Sequence, residues 1–278
     1  MDPYRARREW LRYEGTGQRD LFRELRERFL GRHAANDGWV LDLGSGPGRF
    51  LPFIGTSSAR RLALDISREM LNLVPGVWRS AGRSDDLPDR ILADGLHPPL
   101  APGRWAEVAL LGNTLGFSGR DAVQLLSAAE ELVALGGFLL VEIAPAPGER
   151  SRYLTRLPPA SVARLLRAPA RAVLARLDRE GFRPEPPRHA TPPTFRRFPA
   201  GEFADGLTQR GWELIETVAV APALGTDPER VAAVRSDPKA WSRLLELEEE
   251  LGHRPARWVD AAAVLVAARR PSSKRMIK

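Results

Sequence analysis

Apolar residues in this chain follow two different spacings, and the change from one to the other separates its elements. Short apolar runs bounded by turn residues predict buried strands, whereas apolar residues three or four positions apart predict helices. The predicted strands are Trp39–Leu43, Arg61–Leu64, Arg90–Ala93, Glu107–Leu111, Phe138–Ala144, Trp212–Val220 and Ala261–Ala268. This alternation of strands and helices is typical of an α/β protein with a doubly wound, mostly parallel, seven-stranded sheet.

Helical spacing fills most of the intervals between the strands. Tyr4–Phe29 is predicted to form one or two amphipathic helices, broken at Glu14–Gly17 because glycine is a poor helix former. Further helices are predicted at Arg49–Ile54, Ser67–Leu73 (capped by Ser67), Asp121–Leu135 (stopped by Gly136 and Gly137), Gly201–Arg210 and Asp227–Leu251. Arg79–Pro88 and His97–Gly103 are predicted to be irregular.

A stretch rich in Pro and Arg, Pro145–Thr194, interrupts this order after the fifth predicted strand. Within it, Ser161–Leu177 has helical spacing, interrupted by Pro169. A connection that follows a parallel strand emerges at the carboxyl edge of the sheet, where α/β proteins bind ligands. We therefore expect residues 145–194 to form an inserted helical lid over an acceptor pocket. The alternative is a peripheral excursion that does not contact substrate.

The first predicted strand runs into a glycine loop, with Gly44, Gly46 and Gly48 at alternate positions. Glycine has no Cβ, so its backbone can turn tightly and lie against a ligand. The loop has neither the G-x-G-x-x-G spacing of a dinucleotide fold nor the Lys-Ser/Thr pair of a P-loop. Asp65 ends the second strand 21 positions after Gly44 (65 − 44). That spacing is close to the offset of about 20 residues at which a carboxylate meets a ribose.

Polar or glycine residues also follow the third and fourth predicted strands, as Asp94-Gly95 and Gly112-Asn113. The carboxyl ends of neighbouring parallel strands meet at one edge of a sheet. We therefore expect these residues and the glycine loop to outline one ligand crevice.

Four ordered segments carry a resemblance to a known family. LDLGSGPGRF, LALDIS, ILADGLHPPLAPGRWAEVALLGN and LVALGGFLLVEIAP resemble the motif series of class I S-adenosylmethionine-dependent methyltransferases. The resemblance implies a Rossmann-like methyltransferase fold, S-adenosylmethionine as cofactor and S-adenosylhomocysteine as its product. Because an N-terminal helix often covers the cofactor crevice in such families, residues 1–37 are expected to form a helical cap. Residues 38–278 are then the methyltransferase domain.

The resemblance also implies a role for each matching position. The implied cofactor-binding residues are Asp42, Gly44, Ser45, Gly46, Gly48, Asp65, Ile66, Asp94, Gly95 and Asn113. The glycine loop would approach the methionine portion, and Asp42 would attract its ammonium, directly or through water. Asp65 would accept hydrogen bonds from both ribose hydroxyls, for which a carboxylate has two oxygens.

The remaining implied roles concern the adenine and the methyl group. Ile66 would pack against the adenine, Asp94 would accept from its amino group, and Gly95 would leave room for the ring. Asn113 would face the reacting methyl group.

Each of the three acids also has a purely structural interpretation. Asp42 could be a buried acid satisfied by backbone N–H groups, Asp65 could cap the following helix, and Asp94 could be a turn residue before Gly95. Three acids that end successive strands nevertheless favour a cofactor site.

A general base is needed only if the methyl acceptor must lose a proton. The candidate bases are His97, His189, Glu142, Tyr13 and Tyr153. We take Asn113 and His97 as the candidate catalytic residues. A loop histidine before two prolines is more often simply exposed to solvent.

Composition narrows the functional classes. The 278 residues include no cysteine, so disulfides, zinc–thiolate sites and cysteine nucleophiles are excluded, and no metal site is predicted. The first residues lack the apolar region of a signal peptide, and no apolar run is long enough to span a bilayer. We therefore expect a soluble, cytoplasmic protein that does not associate with membranes.

The charge is strongly basic, with a formal net charge of +7. Only Lys239, Lys274 and Lys278 are lysines, which leaves 39 arginines (42 − 3). Such a balance can favour RNA or acidic substrates, although we prefer a coding bias toward arginine as its explanation. Abundant Pro and Arg without Cys also fits a thermophilic source.

Three functions remain open at this point. The favoured one is methyl transfer to a nitrogen or oxygen of a small molecule, because Gly112-Asn113-Thr114 resembles the matching stretch of small-molecule N-methyltransferases. The chain lacks the Asn/Asp-Pro-Pro-Tyr/Phe stretch of enzymes that methylate nucleobase or glutamine nitrogens. An rRNA or tRNA methyltransferase is the second candidate, and a non-catalytic S-adenosylmethionine-binding protein is the third.

Overall fold

A computed structural model describes residues 17–83, 86–146, 196–223 and 228–272. Its main sheet contains β1 (Trp39–Leu43), β2 (Arg60–Asp65), β3 (Asp89–Leu92), β4 (Trp105–Leu110), β5 (Val133–Ile143), β8 (Glu213–Val220) and β9 (Ala263–Arg269). Two short strands, β6 (Pro145–Ala146) and β7 (Phe198–Pro199), pair with each other in parallel. The helices are α1 (Gly17–His33), α2 (Arg68–Leu71), α3 (Val74–Ser80), α4 (Thr114–Ser118), α5 (Ala122–Leu132), α6 (Ala200–Gln209), α7 (Pro228–Arg235) and α8 (Pro238–Gly252).

The order of strands across the main sheet is β3-β2-β1-β4-β5-β9-β8. Neighbouring strands are parallel except around β9, which is antiparallel to both β5 and β8. The predicted doubly wound, mostly parallel sheet of seven strands is therefore confirmed. Because β1, β2, β3 and β4 run in the same direction, the segments that follow them meet at one edge.

In β1, β2, β4 and β9, nearly every position is buried on one face of the sheet or the other, whereas the edge strands β3 and β8 are partly exposed. In β1, Leu41 and Leu43 belong to one core, whereas Val40 belongs to the core on the opposite face. Helices α5 and α6 cover the first face, and α1, α3, α7 and α8 cover the second. Burial on both faces explains why these strands read as continuous apolar runs instead of alternating ones.

Helix α1 buries the apolar stripe that its sequence predicted. Leu21, Leu25 and Phe29 recur every four positions and are buried, as positions on one helix face should be. The helix packs against α7, α8, β8 and β9. Whether residues 1–37 act as a cap remains a prediction, because residues 1–16 lie outside the described residues.

The predicted helix at Arg49–Ile54 is wrong, because residues 44–59 form successive turns. A helix would join the carbonyl of Leu51 to the amide of Gly55, but both groups have other partners. Arg61 Nε donates to the Leu51 oxygen at 3.0 Å, and the Gly55 amide donates to Glu107 Oε2 at 3.2 Å. Pro52, which lacks an N–H group, weakens the helical alternative further.

Two other helix boundaries differ from the prediction. The helix predicted to run to Leu135 ends at Leu132, and β5 already begins at Val133. Gly137 is no helix stop: a Cβ there would lie 2.9 Å from the Ala106 oxygen, so it allows the close approach of β4 and β5. The single helix predicted for Asp227–Leu251 is divided at Asp237, which caps α8 by accepting from the amides of Lys239 and Ala240.

The other predicted elements agree with the described residues to within a few positions. Ser67 caps α2 as predicted, since its hydroxyl accepts from the Met70 amide at 3.3 Å. The predicted helix Ser161–Leu177 lies outside the described residues. None of the described helices has the length and apolar character needed to cross a membrane.

Candidate functional site

A crevice of about 540 Å³ opens at the carboxyl edge of the sheet, where the sequence placed it. Its walls come from the segments that follow β1, β2, β3 and β4 and from the helices α4 and α5. The lining residues are Gly44, Ser45, Gly46, Pro47, Arg49, Phe50, Leu64, Asp65, Ile66, Met70, Asp94, Gly95, Leu96, Leu111, Gly112, Thr114, Phe117, Ser118, Asp121 and Leu125. Seven of the ten predicted cofactor-binding residues are among them; Asp42, Gly48 and Asn113 are not.

The strand order arranges these residues in a line along the edge of the sheet. Since the neighbours run β3-β2-β1-β4, their following segments succeed one another as Asp94, Asp65, Gly44 and Gly112. The crevice is therefore elongated across four strands. Such a shape suits a long ligand with chemically different ends.

Asp65 is the most strongly organised acid of the crevice. Its Oδ2 accepts from the Gly46 amide at 2.7 Å, and its Oδ1 accepts from the Ser67 amide at 2.8 Å. Burial raises the pKa of Asp65, and these backbone donors oppose that rise. Each carboxylate oxygen has two lone pairs, so both oxygens can still accept a further hydrogen bond from a ligand. Asp65 thus ties the glycine loop to α2 and also lines the crevice.

The three glycines of the loop all have positive φ angles but do different work. A Cβ at Gly44 would lie 2.3 Å from Thr114 Cγ2, and one at Gly48 would lie 2.7 Å from Leu51 Cδ1. These two glycines are required by packing inside the protein. At Gly46, with φ of 53°, no protein atom lies within 4 Å of the Cβ position. Gly46 itself lines the crevice.

Apolar side chains provide much of the crevice surface. Ile66 is 66% exposed and Phe117 is 51% exposed, which is unusual for large apolar residues in a folded chain. Both line the crevice, so a bound ligand would cover them. Ile66 was predicted from the sequence. Phe117 was not, although its place on the helix after Asn113 could have suggested it.

Asp94 and Gly95 form the β3 end of the crevice. Asp94 Oδ1 accepts from the Leu96 amide at 2.9 Å, so Asp94 is a turn residue, yet its side chain is exposed and lines the crevice. A Cβ at Gly95 would lie 3.1 Å from Leu125 Cδ1. Gly95 therefore allows this segment to pack closely against Leu125 and the buried Leu43.

Asp42 lies beneath the loop and is almost fully buried. Its Oδ2 has no hydrogen-bond partner among the described residues. Burial, together with the charges of Asp65 and Glu107, raises the pKa of Asp42 to about 8. A buried carboxyl oxygen that lacks a partner, so close to the crevice, is suited to a donor group from a ligand or a water molecule.

The two candidate catalytic residues lie in different surroundings. Asn113 has a left-handed backbone, with φ of 64°, and its buried Oδ1 has no hydrogen-bond partner among the described residues. His97 is exposed, with Nε2 3.4 Å from Gln124 Nε2, and is not a lining residue. Of the other candidate bases, Glu142 is engaged by Arg26, and Tyr13, Tyr153 and His189 lie outside the described residues.

The tertiary structure adds further residues to the site. Thr114 donates to the carbonyl oxygens of Leu111, at 2.6 Å, and Gly44, at 3.2 Å, and so joins the segment after β4 to the glycine loop. Phe50 and Arg49 line the crevice beside that loop. Their positions depend on the turns of residues 44–59, which replace the helix predicted for Arg49–Ile54.

Comparison with known proteins gives structural matches only. No family model matches this sequence, and no curated protein is similar to it in sequence. A Haloferax volcanii protein solved in complex with the Trm112 methyltransferase activator is 16% identical, with 93% of each chain covered and a TM-score of 0.54. A SAM-dependent methyltransferase from Aquifex aeolicus is 13% identical, with 97% of this chain and 99% of that chain covered and a TM-score of 0.50.

The same fold occurs in an enzyme described by a different reaction. The [4+2]-cyclase SpnF is 14% identical, with 89% of this chain and 81% of that chain covered and a TM-score of 0.51. At such identities the matches speak for the fold and not for the activity. Together with the strand order, they show that this chain has the class I, Rossmann-like fold of the S-adenosylmethionine-dependent methyltransferases.

Proposed function

We propose that the crevice binds S-adenosylmethionine and that the protein transfers its methyl group to a small molecule. The observation that carries this proposal is the line of residues across the edge of the sheet. Asp94 and Gly95, then Asp65, then the glycine loop, then Gly112 succeed one another from β3 to β4. An adenine, a ribose and an amino acid follow one another in the same way in S-adenosylmethionine.

Each part of the crevice fits the corresponding part of the cofactor. The exposed Ile66 side chain suits an adenine ring lying beside Gly95, and Asp94 can accept from its amino group. Asp65 can accept from the ribose hydroxyls while it holds Gly46. The open space at Gly46 admits the methionine portion close to the backbone.

Asp42 and Asn113 complete the proposed site. The orphaned Oδ2 of Asp42 can accept a hydrogen bond from the ammonium of the cofactor, directly or through water. Asn113 directly follows the lining residue Gly112, and its unpaired Oδ1 can orient an acceptor near the methyl group. A catalytic role for His97 remains a prediction.

When bound, S-adenosylmethionine would supply an electrophilic methyl group on a good leaving group. The protein then contributes mainly by positioning the acceptor atom in line with the methyl group. Such positioning accounts for much of the rate of these displacements. Phe50, Leu111 and Phe117 provide apolar walls that exclude water from the crevice. A positioned base is needed only for an acceptor that must lose a proton.

We extend the proposal to the lid that residues 145–194 are predicted to form. The described residues on both sides of this segment lie side by side: β6 follows β5 directly and pairs with β7. The Arg196 amide donates to the carbonyl of Gly116, in the same helix as the lining residue Phe117. This hydrogen bond supports an insertion that ends beside α4, a helix that lines the crevice.

A nitrogen or oxygen of a small molecule remains the proposed acceptor, with RNA as the alternative. The basic composition favours RNA, because neutralised phosphates drive nucleic-acid affinity. However, Arg26, Arg32 and Arg61 of the described residues donate hydrogen bonds to carboxylates or carbonyl oxygens of the protein itself. Because these arginines serve as intramolecular hydrogen-bond donors, part of the positive charge is explained without RNA binding.

Calorimetry with S-adenosylhomocysteine tests the binding proposal. We expect the wild-type protein to bind it. We expect Asp65→Asn to bind about tenfold or more weakly, because a charged hydrogen-bond acceptor contributes about 1.5–3 kcal/mol. Asp89→Asn, which changes an exposed acid of β3 outside the crevice, is the control and should bind normally.

Three results would contradict parts of this proposal. Absence of wild-type binding would refute the cofactor site, and a folded Asp65→Asn protein with normal affinity would remove Asp65 from it. Incubation with methyl-labelled S-adenosylmethionine and separate pools of metabolites and RNA identifies the acceptor. Label in RNA, or binding without any transfer, would replace the small-molecule reaction by one of the two alternatives.

A further inference from the structure

An ion pair buried between α1 and β5 contacts a segment that lines the crevice. Arg26 donates to both oxygens of Glu142, from Nε to Oε2 at 2.9 Å and from Nη2 to Oε1 at 2.7 Å. The Glu142 side chain is fully buried, and that of Arg26 is 16% exposed. This two-pronged geometry fixes the carboxylate in one orientation.

Glu142 has a second partner in the segment that follows β4. Its Oε2 accepts from the Gly112 amide at 3.3 Å. Gly112 lines the crevice, has a φ of 65°, and is followed by Asn113 with a φ of 64°. Two successive left-handed residues, one of them not glycine, are strained and persist only where the surroundings hold them.

The same segment is joined to the glycine loop from its other side. Thr114 donates to the carbonyl of Gly44, and its methyl group occupies the space that a Cβ of Gly44 would need. The backbone of residues 112–114 is thus held by Glu142 at one end and by Gly44 at the other. It forms the wall of the crevice at the end farthest from Asp94.

A buried ion pair is a poor choice for stability alone. Removing two charges from water costs several kcal/mol per ion, and apolar residues of similar volume often stabilise a core as well or better. Glu142 is preceded by Leu139, Leu140 and Val141 in an otherwise apolar strand. What a carboxylate supplies here, and an apolar side chain cannot, is an acceptor for the Gly112 amide.

We propose that Arg26 and Glu142 are positioning residues for the amino-acid end of the cofactor site. Arg26 fixes the Glu142 carboxylate, and Glu142 holds the Gly112–Thr114 segment in the conformation that forms this wall. The inference rests on the proposed function, since it assigns the β4 end of the crevice to the amino-acid portion. Glu142, one of five candidate bases from the sequence, therefore acts through the backbone in this proposal and not as a general base.

Comparison of two ligands separates this role from a general effect on stability. S-adenosylhomocysteine carries the amino-acid portion, whereas adenosine occupies only the β3 and β2 side of the crevice. In Glu142→Gln and Arg26→Lys we expect the Kd of S-adenosylhomocysteine to rise about tenfold, because a misplaced wall loses charge-assisted hydrogen bonds. The Kd of adenosine should change less than about threefold, since Asp65 and Ile66 are undisturbed.

The matched controls are Glu249→Gln and Arg28→Lys. They change, in the same way, an ion pair of α1 that joins α8, with Nη1 and Oε2 3.2 Å apart and no contact with the crevice. We expect normal affinity for both ligands in the controls. Each titration is done at a temperature where the variant is fully folded, and Arg26→Lys decides the question if Glu142→Gln fails to fold.

Two outcomes would overturn the inference while leaving the proposed function intact. One is unchanged affinity for S-adenosylhomocysteine in the Arg26 and Glu142 variants. The other is an equal loss of affinity for both ligands, which would indicate a general loosening of the fold. A wild-type protein that binds neither ligand would instead refute the proposed function, and this inference with it.

Discussion

At the scale of single residues, the glycine loop shows that identical residues can be required for different reasons. Gly44 leaves room for Thr114, which belongs to the protein, whereas Gly46 faces open space in the crevice. Both have positive φ angles, so both are favoured over other residues by backbone conformation. Only the surroundings of the absent Cβ distinguish a packing glycine from a ligand-binding one.

Alanine substitutions should separate these two kinds of glycine. Gly46→Ala should lower the free energy of unfolding by about 1–2 kcal/mol, the cost of a left-handed residue, and should also weaken S-adenosylhomocysteine binding by occupying the crevice. Gly82→Ala is the matched control, because Gly82 also has a positive φ and no atom near its Cβ position but lies outside the crevice.

We expect Gly82→Ala to lose similar stability and no affinity, and Gly44→Ala to lose more stability than either. Urea denaturation and calorimetry measure the two quantities. Normal affinity in Gly46→Ala would show that the ligand does not approach this part of the loop.

At the scale of elements, residues 44–59 replace the expected helix by turns that a single side chain organises. Arg61 donates to five carbonyl oxygens, at distances of 2.6–3.1 Å. They belong to Leu51, Ile54, Gly55, Thr56 and Ala59. The guanidinium thus satisfies the acceptors that a helix would have satisfied through its own amides. The crevice-lining residues Arg49 and Phe50 depend on this arrangement.

Arg61→Met should therefore be strongly destabilising. It leaves buried carbonyl groups without donors and removes a positive charge near the buried Glu107, which together should cost about 3–5 kcal/mol of unfolding free energy. Arg60→Met, at the exposed neighbouring position, should cost at most about 1 kcal/mol through lost contact with the Trp39 ring. Equal stability of the two variants in urea denaturation would show that the turns do not need Arg61.

At the scale of the whole molecule, buried acids give the stability a distinctive dependence on pH. Burial raises the pKa of Asp42 from 3.8 to about 8 and that of Glu107 from 4.5 to about 7. The folded state then binds these protons more tightly than the unfolded chain does. Their contribution to the free energy of unfolding falls as the pH rises through this range.

Glu216 acts in the opposite direction at low pH. Burial alone would raise its pKa, but hydrogen bonds from His33, Arg32 and His253 lower it from 4.5 to about 2. Its contribution is fully present above the unfolded pKa and is lost as the pH falls from 4.5 toward 2. The two effects together place the greatest stability on the acidic side of neutrality.

Thermal unfolding, measured between roughly pH 5 and 9, tests this dependence because that range includes the raised pKa values of Asp42 and Glu107. We expect the melting temperature of the wild-type protein to fall toward alkaline pH. We expect the fall to be smaller in Asp42→Asn, whose side chain cannot ionise. Glu107 still titrates in that variant, so part of the dependence remains. Parallel curves for the two proteins would show that Asp42 is not a buried, protonated acid.

The sequence by itself determined the class of fold and the carboxyl edge at which the crevice lies. It could do so because strands buried on both faces are apolar throughout, and because turn residues must follow them. It also determined Asp65, Gly46 and Ile66 as lining residues, since each lies within a few positions of a strand end. These are local properties, which neighbouring residues specify without the rest of the chain.

Only the tertiary structure decided the features that depend on distant partners. Arg26 and Glu142 are 116 positions apart, Thr114 and Gly44 are 70 apart, and the Gly55 amide meets Glu107 across 52. These contacts changed a predicted helix into turns and gave the candidate base Glu142 a bidentate arginine partner. A hydrogen-bonding group pairs with whichever partner the fold brings within reach. The spacing of apolar residues along the chain does not indicate which distant partner that is.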